Sequence, residues 1–362
     1  AASLDNQIDG LISSKSNLTL DVTRFDNRGG SVVAVGTLSL GSAQLDNRQA
    51  GLINSGKTMT LRIGSLDNRG GDVASTANLI VTGSSFDNSN GGRLLANGDL
   101  QLTLASLGNW LSGIISGQQS VSVSAGQFDN GDQGSLYGKT GVNLTLRDGS
   151  GANGHLHNRL GTLRSDAALV LDGISLNNDG GRLSSAGTLV LALRDGVSNY
   201  AGDVLGSSTL SLSSASLDNS RGRIAADRLV QVTTGTLVNQ QGRLTSVDRL
   251  ELTAGLVDNR MAGRIASAKA LSASLGGLDQ RGGGELYSNS ALTLNMNGGQ
   301  LNNSGGLINA PGPLQFSNLA EVLNLGGEIS SEQSYSLSAR SLDNSGCLLY
   351  TSPSPRDRTR SR

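Results

Sequence analysis

One short pattern of apolar and polar residues recurs along almost the whole chain. A Leu, Phe or Val stands two residues before an Asn, and in most repeats a Gly follows that Asn within two to four residues. We call this Asn the anchor. Fourteen of the sixteen intervals between anchors are 20 or 21 residues, which indicates a structural repeat of that length. The anchors are Asn6, Asn27, Asn47, Asn68, Asn88, Asn109, Asn130, Asn158, Asn178, Asn199, Asn219, Asn239, Asn259, Asn303, Asn324 and Asn344, with Gln280 in the one gap.

Apolar positions within each repeat follow the period of a β-strand. Another aliphatic residue comes four to six residues after most anchors, as at Leu52, Leu94 and Ile114. A pair spaced by two, such as Leu38 and Leu40, follows later. Each repeat therefore predicts three short strands separated by turns. A single repeat cannot bury its own aliphatic stripe, so the sequence predicts an all-β parallel β-helix of about 16 stacked coils, each of 20–21 residues.

The polar residues at the anchors have more than one physical interpretation. The anchor Asn can occupy a left-handed turn position, or it can point inward and form a ladder of stacked carboxamides. The Asp that precedes many anchors is expected to be a solvated turn residue. A calcium ladder is the alternative, although the glycine-rich nonapeptide of calcium-binding β-helices does not occur. Asp precedes the anchor at Asp5, Asp26, Asp46, Asp67, Asp87, Asp129, Asp218, Asp258, Asp279 and Asp343.

Composition narrows the classes of protein to which the chain can belong. The 362 residues include 51 Gly but only one Trp, five Tyr and four Phe, so aliphatic stacks rather than an aromatic centre must form the core. A single cysteine, Cys347, excludes an intrachain disulfide. No apolar run approaches about 18 residues, so neither a membrane span nor a leader peptide is predicted. The first residues read as the middle of a repeat, and we expect the natural N-terminus to lie upstream.

The repeat pattern is expected to end at residue 346. Residues 347–362 hold two of the four prolines, the only cysteine and four arginines, a composition unsuited to a coil. The sequence thus predicts a repeat domain over 1–346, a fragment of a longer rod, and a disordered, non-native tail over 347–362. A natural basic tail that binds nucleic acid is the alternative, but no nucleic-acid partner is predicted.

The repeats resemble those of a known family. Residues 66–71, Leu-Asp-Asn-Arg-Gly-Gly, and residues 175–185 are similar to the filamentous haemagglutinin repeats of bacterial two-partner-secreted exoproteins. The resemblance covers residues 1–346. It implies a right-handed parallel β-helix that is secreted or displayed at a Gram-negative surface, with an outer-membrane transporter as a partner. It also implies adhesion to a receptor or glycan on a host or neighbouring cell, or presentation of a contact-dependent growth inhibition effector, which makes the protein a virulence candidate.

Residues suited to catalysis are few. The only histidines, His155 and His157, could share one strand face, but a third metal ligand is missing nearby. They end an insertion over 147–157, which is expected to form a surface loop. A β-helix enzyme acting on polysaccharide is the alternative function, although it would need carboxylates clustered beside a groove. The sequence therefore predicts a non-enzymatic protein with no catalytic, metal or cofactor site.

One set of charges is a candidate ligand site. In three consecutive repeats, cations recur at two matching positions, which predicts two basic columns on stacked strands. Like charges in register repel, so they suggest a site for an anionic glycan. A solvated face partly neutralised by Asp227 and Asp248 is the alternative. The first column is Arg223, Arg243 and Arg264, and the second is Arg228, Arg249 and Lys269.

Overall fold

The fold is known from a computed structural model, which describes residues 1–147 and 154–346 and the backbone of 348–351. All regular secondary structure in these ranges is β-strand. The described residues contain no helix of the length and apolar character needed to cross a membrane. The chain divides into two compact units, Ala1–Val197 and Ser198–Arg362. Each unit is a parallel β-solenoid, and the two units together contain about 16 coils.

The first unit contains two parallel sheets. One is built from strands that carry the residue before each anchor: Ser3–Asp5, Leu18–Asp26, Leu38–Asp46, Met59–Asp67, Leu79–Asp87, Leu100–Gly108, Ser120–Asp129, Gly141–Leu146, His155–His157, Ala168–Gly173, Ser175–Asn177, Leu189–Leu193 and Gly196–Ser198, where the units divide. The other is built from four-residue strands that follow the anchors: Leu11–Ser14, Ser31–Ala34, Leu52–Ser55, Asp72–Ser75, Arg93–Ala96, Ile114–Gly117, Ser135–Gly138, Thr162–Ser165 and Arg182–Ser185.

The second unit repeats this arrangement. Its strands before the anchors are Thr209–Asp218, Leu229–Val238, Arg249–Asp258, Ala270–Asp279, Ala291–Asn295, Gln300–Asn302, Leu314–Ser317, Leu319–Leu323 and Ala339–Asp343. Its strands after the anchors are Asp203–Gly206, Arg223–Ala226, Arg243–Ser246, Arg264–Ser267, Glu285–Ser288, Leu307–Asn309, Glu328–Ser331 and Leu348–Thr351.

Register places equivalent residues of neighbouring coils beside each other. Leu38 pairs with Met59, and Leu45 pairs with Leu66. Within each strand inward residues alternate with outward ones, so aliphatic side chains stack at a spacing of about 4.8 Å. The core is therefore a set of columns of Leu, Val and Ile. The apolar residue two positions before the anchor is buried in every coil except those of Leu4 and Leu342.

Most coils contain two strands rather than the three expected. The strand of Leu38 and Leu40 continues directly into that of Leu45, and only Ala43 is left out of the paired register. No turn separates the two segments, because one strand runs unbroken from Leu38 to Asp46. Two separate segments occur in some coils, as in Gly141–Leu146 and His155–His157 beside the insertion.

Two details of the structure differ from the pattern read in the sequence. In the repeats marked by Leu52 and Ile114 the inward residue is the next one, Ile53 or Ile115, because two consecutive aliphatic residues leave the inward one ambiguous in the sequence. The repeat also extends beyond residue 346, since Leu348–Thr351 pairs with Glu328–Ser331. The rest of the predicted tail, Cys347 and 352–362, and residues 148–153 of the insertion lie outside the described residues.

Candidate functional site

The anchors form a hydrogen-bonded ladder in each unit. The Nδ2 of Asn47 donates a hydrogen bond of 2.7 Å to the Oδ1 of Asn68. The Nδ2 of Asn68 donates one of 2.8 Å to the Oδ1 of Asn88. This step repeats from Asn6 to Asn178 in the first unit and from Asn199 to Asn344 in the second. Gln280 takes its place in the second ladder, at 3.0 Å from each neighbour.

The anchor side chains therefore point inward, and the turn interpretation of these residues is wrong. Asn68 is fully buried, and its Nδ2 also donates to the carbonyl oxygens of Gly71 and Arg93. The left-handed position of the turn falls two residues after the anchor, at Gly70 in this coil. The ladder satisfies buried backbone carbonyls, so its role is structural.

A second ladder, of ions, runs along the outside of the anchor corner. The Arg28 guanidinium donates to both carboxylate oxygens of Asp26, and its Nε lies 3.6 Å from Asp46 in the next coil. Arg48 and Arg69 repeat the arrangement, which ends at Asp87. The same pairing recurs in the second unit between Asp258 and Arg260 and between Asp279 and Arg281.

These contacts shift the carboxylates toward their charged form. The hydrogen bond from the Arg28 side chain lowers the pKa of Asp26. Burial by itself raises the pKa of Asp67, but the hydrogen bonds and charge of Arg69 outweigh it and lower the pKa overall. Backbone N–H groups add to this effect, as that of Arg69 does for Asp67. The prediction that these Asp residues are merely solvated turn residues is therefore incomplete. Their carboxylates form ion pairs with arginines of their own coil and of the preceding coil.

The sequence signal for this ion ladder is the triplet Asp-Asn-Arg, which occurs at 26–28, 46–48, 67–69 and 258–260. The repeat pattern draws attention to the Asp and the Asn of this triplet but gives no sign that the Arg has a role. Among the described residues no group of three or more His, Cys, Asp or Glu side chains is arranged to hold a metal ion.

The first predicted basic column is in register. Arg223 pairs with Arg243, and Arg243 pairs with Arg264, on three adjacent short strands. All three side chains face solvent. Arg264 binds Glu285 at 2.8 Å and lies 5.5 Å above the centre of the Tyr287 ring. In the part of the chain that the structure describes, neither Arg223 nor Arg243 has an acidic side chain within ion-pair distance.

The second predicted column does not form. Arg249 pairs with Leu229 and with Ala270, so it is one residue out of register with Arg228 and Lys269. The position between those two cations is taken by Asp248, whose carboxylate lies 3.0 Å from Lys269 Nζ. Charges therefore alternate along this column, and Arg249 binds Glu251 in its own strand. Both turns contain two residues, but Asp-Arg-Leu stands one residue later in the second coil, where burial of Val230 and Leu250 decides the register.

The repeats also match a family model. The haemagglutinin repeat model matches residues 1–49, 41–103, 105–149, 145–192, 195–260 and 245–352. The chain belongs to the haemagglutinin repeat family. No curated protein and no solved structure matches it. The resemblance to filamentous haemagglutinin repeats is thereby confirmed.

The histidines of this haemagglutinin repeat protein lie together on one strand, His155–His157, and both are exposed. Nδ1 of His155 is 2.7 Å from the Ser175 hydroxyl, and His157 pairs in register with Asp129 and Asn177. The strand thus provides two imidazoles facing solvent.

The haemagglutinin repeats of the first unit carry a shallow groove that our sequence analysis missed. In each coil its lining includes the two residues that flank the buried apolar residue, as Ser85 and Asp87 flank Phe86. Ser106 and Asp129 line it in the next two coils. At its far end Gly108 and Trp110 replace the Asp and Arg of the ion ladder. The Trp110 ring lies over Gly108, 3.4 Å from where a β-carbon would stand, so a side chain at 108 would be in contact with the ring.

Proposed function

We propose that this protein is a non-enzymatic bacterial surface or secreted scaffold that serves adhesion. The haemagglutinin repeat family suggests an adhesin-like β-helical protein, and proteins of this family are generally secreted or surface-exposed. The family is also typically non-enzymatic. Two-partner secretion through an outer-membrane transporter, a role in virulence, and presentation of a contact-dependent growth inhibition effector are finer proposals that rest on this membership.

The observation that carries the adhesive role is the in-register column of Arg223, Arg243 and Arg264. Stacked like charges raise the free energy of the fold, and two of the three arginines have no ion pair among the described residues. Structural stability therefore does not account for the column. Cations repeated at about 4.8 Å suit the sulfates or carboxylates of an anionic glycan.

The test is retention on a heparin column in low salt. We expect the full chain to be retained, and the triple variant Arg223→Gln, Arg243→Gln, Arg264→Gln to elute at lower salt with an unchanged melting temperature. Salt should weaken binding, because exposed charges are screened over about 8–10 Å at physiological ionic strength. Arg228, Arg249 and Lys269 remain in the chain as candidate contacts outside the column, and their replacement should have a smaller effect.

The matched control removes the same charge elsewhere. Arg93, Arg159 and Arg164 each form an ion pair outside the column, and neither Arg93 nor Arg164 pairs in register with another cation. Changing these three to Gln should leave retention close to that of the parent. Equal losses in the two triple variants would show that net charge alone governs binding and would refute the column as the adhesive site. Depolymerisation of an acidic polysaccharide by the parent would instead favour the enzyme alternative.

A further inference from the structure

Three large apolar side chains are exposed together at the anchor corner of the first unit. We call Trp110, Leu111 and Leu160 the apolar corner; they are 36%, 42% and 49% exposed. Leu111 and Leu160 line one hollow together with Asp132 and Gln133 of the intervening coil. Trp110 lies at the end of the neighbouring groove. Equivalent corners elsewhere in the first unit, apart from that of Ile8, present polar or small residues.

Two residues of the apolar corner have a backbone conformation that leucine rarely adopts. Leu111 and Leu160 have φ of 47° and 57°, in the left-handed region that favours Gly and Asn. Gly70, Asn90 and Gly180 stand at the equivalent position of other coils. A branched apolar residue costs roughly 1 kcal/mol or more in this conformation, and a side chain that stays about half exposed recovers at most about that amount by burial. Folding alone therefore does not explain the two leucines.

Acidic residues surround the apolar corner. Asp87 and Asp129 line the groove that ends at Trp110, and Asp132 lies between the two leucines. The Arg159 guanidinium forms an ion pair of 3.3 Å with the Asp132 carboxylate, and the Nε of Arg69 lies 3.6 Å from the Asp87 carboxylate. Asp129 accepts a hydrogen bond from the Gly131 N–H, and no described Lys or Arg lies within ion-pair distance of its carboxylate. The surface thus combines apolar contact area with a carboxylate that is available to a cation.

We propose that the apolar corner binds a peptide segment of a partner protein in which large apolar side chains alternate with Lys or Arg. The apolar side chains would cover Trp110, Leu111 and Leu160, and the cations would meet Asp129 and Asp87. A glycan is the weaker match, because exposed leucines offer a sugar no hydrogen bonds. This protein contact is separate from the anionic glycan contact of the arginine column, which has the opposite charge and lies in the other unit.

The single tryptophan of the chain reports on this surface directly. We expect a short blocked peptide of alternating Leu and Lys to shift the Trp110 emission to shorter wavelength with a saturable concentration dependence. A Leu–Glu peptide and a Ser–Lys peptide of the same length should leave the emission unchanged. Added salt should weaken the effect, since the Lys contacts are exposed.

The variant Leu111→Gly, Leu160→Gly removes the apolar area and keeps both the reporter and the fold, because Gly accepts the left-handed backbone. We expect at least a tenfold loss of affinity, about 1.4 kcal/mol. Ile8→Gly is the matched control, because Ile8 is 80% exposed with φ of 43° but lies outside the apolar corner. Equal binding by parent and double variant, equal responses to the Leu–Lys and Leu–Glu peptides, or a response to neutral oligosaccharides alone would overturn the proposal.

Discussion

Gln280 accepts a hydrogen bond of 3.0 Å from the Nδ2 of Asn259 through its Oε1, and it is fully buried. The Nε2 of Gln280 donates a hydrogen bond of 3.0 Å to the Oδ1 of Asn303, so the ladder continues through a longer side chain. What the core requires at this position is therefore a group with a donor on one side and an acceptor on the other. Either primary amide supplies that pair.

Replacing Gln280 by Glu should destabilise the second unit strongly. The substitution keeps the shape but removes the donor, so a buried carboxylate oxygen would face the Oδ1 of Asn303 at the same short distance. We expect a loss of several kcal/mol in the free energy of unfolding, measured by urea denaturation. Gln280→Asn keeps both hydrogen-bonding groups and should cost much less.

Gln101→Glu is the control for this charge change, because Gln101 is exposed on an outer strand face. It should alter the unfolding free energy by no more than about 0.5 kcal/mol. If Gln280→Glu is as mild as Gln101→Glu, the amide ladder does not contribute to stability as we infer.

Sequence alone predicted the parts of this fold that depend on burial. Apolar alternation identified the strands, and the nearly constant interval between anchors put Arg223, Arg243 and Arg264 in register. The sequence did not predict features that depend on local geometry, such as which residue lies in a turn or where a side chain points. The sequences Asp227-Arg228-Leu229 and Asp248-Arg249-Leu250 look equivalent, yet Arg228 is the last residue of its turn and Arg249 is the first residue of its strand. The ion ladder was missed because repeat spacing does not reveal that an Arg side chain turns back to the Asp two residues before it.

Acid should weaken the first unit through its ion ladder. The pKa values of Asp26 and Asp67 are lower in the folded protein than in the unfolded chain, so folding favours the charged form. Their stabilising contribution is complete above the ordinary Asp pKa of about 4 and is lost as the pH falls below it. Melting temperatures measured from neutral pH to about pH 3 should show this decline. The triple variant Arg28→Gln, Arg48→Gln, Arg69→Gln should show a shallower one, and parallel curves would contradict the assignment.

The end of the chain offers a test of the tail interpretation. Strand Leu348–Thr351 completes a pairing with Glu328–Ser331, whereas Pro353 and Pro355 lack the N–H groups that a coil requires. Deleting 352–362 should therefore leave the melting temperature unchanged, as measured by circular dichroism. Deleting 347–362 should remove the terminal strand and lower protection against proteolysis near residues 328–331. A large fall in melting temperature with the shorter deletion would show that residues 352–362 support the fold.

The substitution Leu183→Asp should unfold the first unit locally. Leu183 is fully buried in strand Arg182–Ser185 and pairs with Leu163 of the preceding coil. Leu183→Asp would place an unpaired carboxylate in the aliphatic column, at a cost of several kcal/mol. Because each coil contacts mainly its neighbours, the damage should stay local, and limited proteolysis should cut near residue 183 first. Ser184→Asp is the matched control, since its side chain faces outward in the same strand. Cleavage of the two variants at equal rates would contradict an inward Leu183.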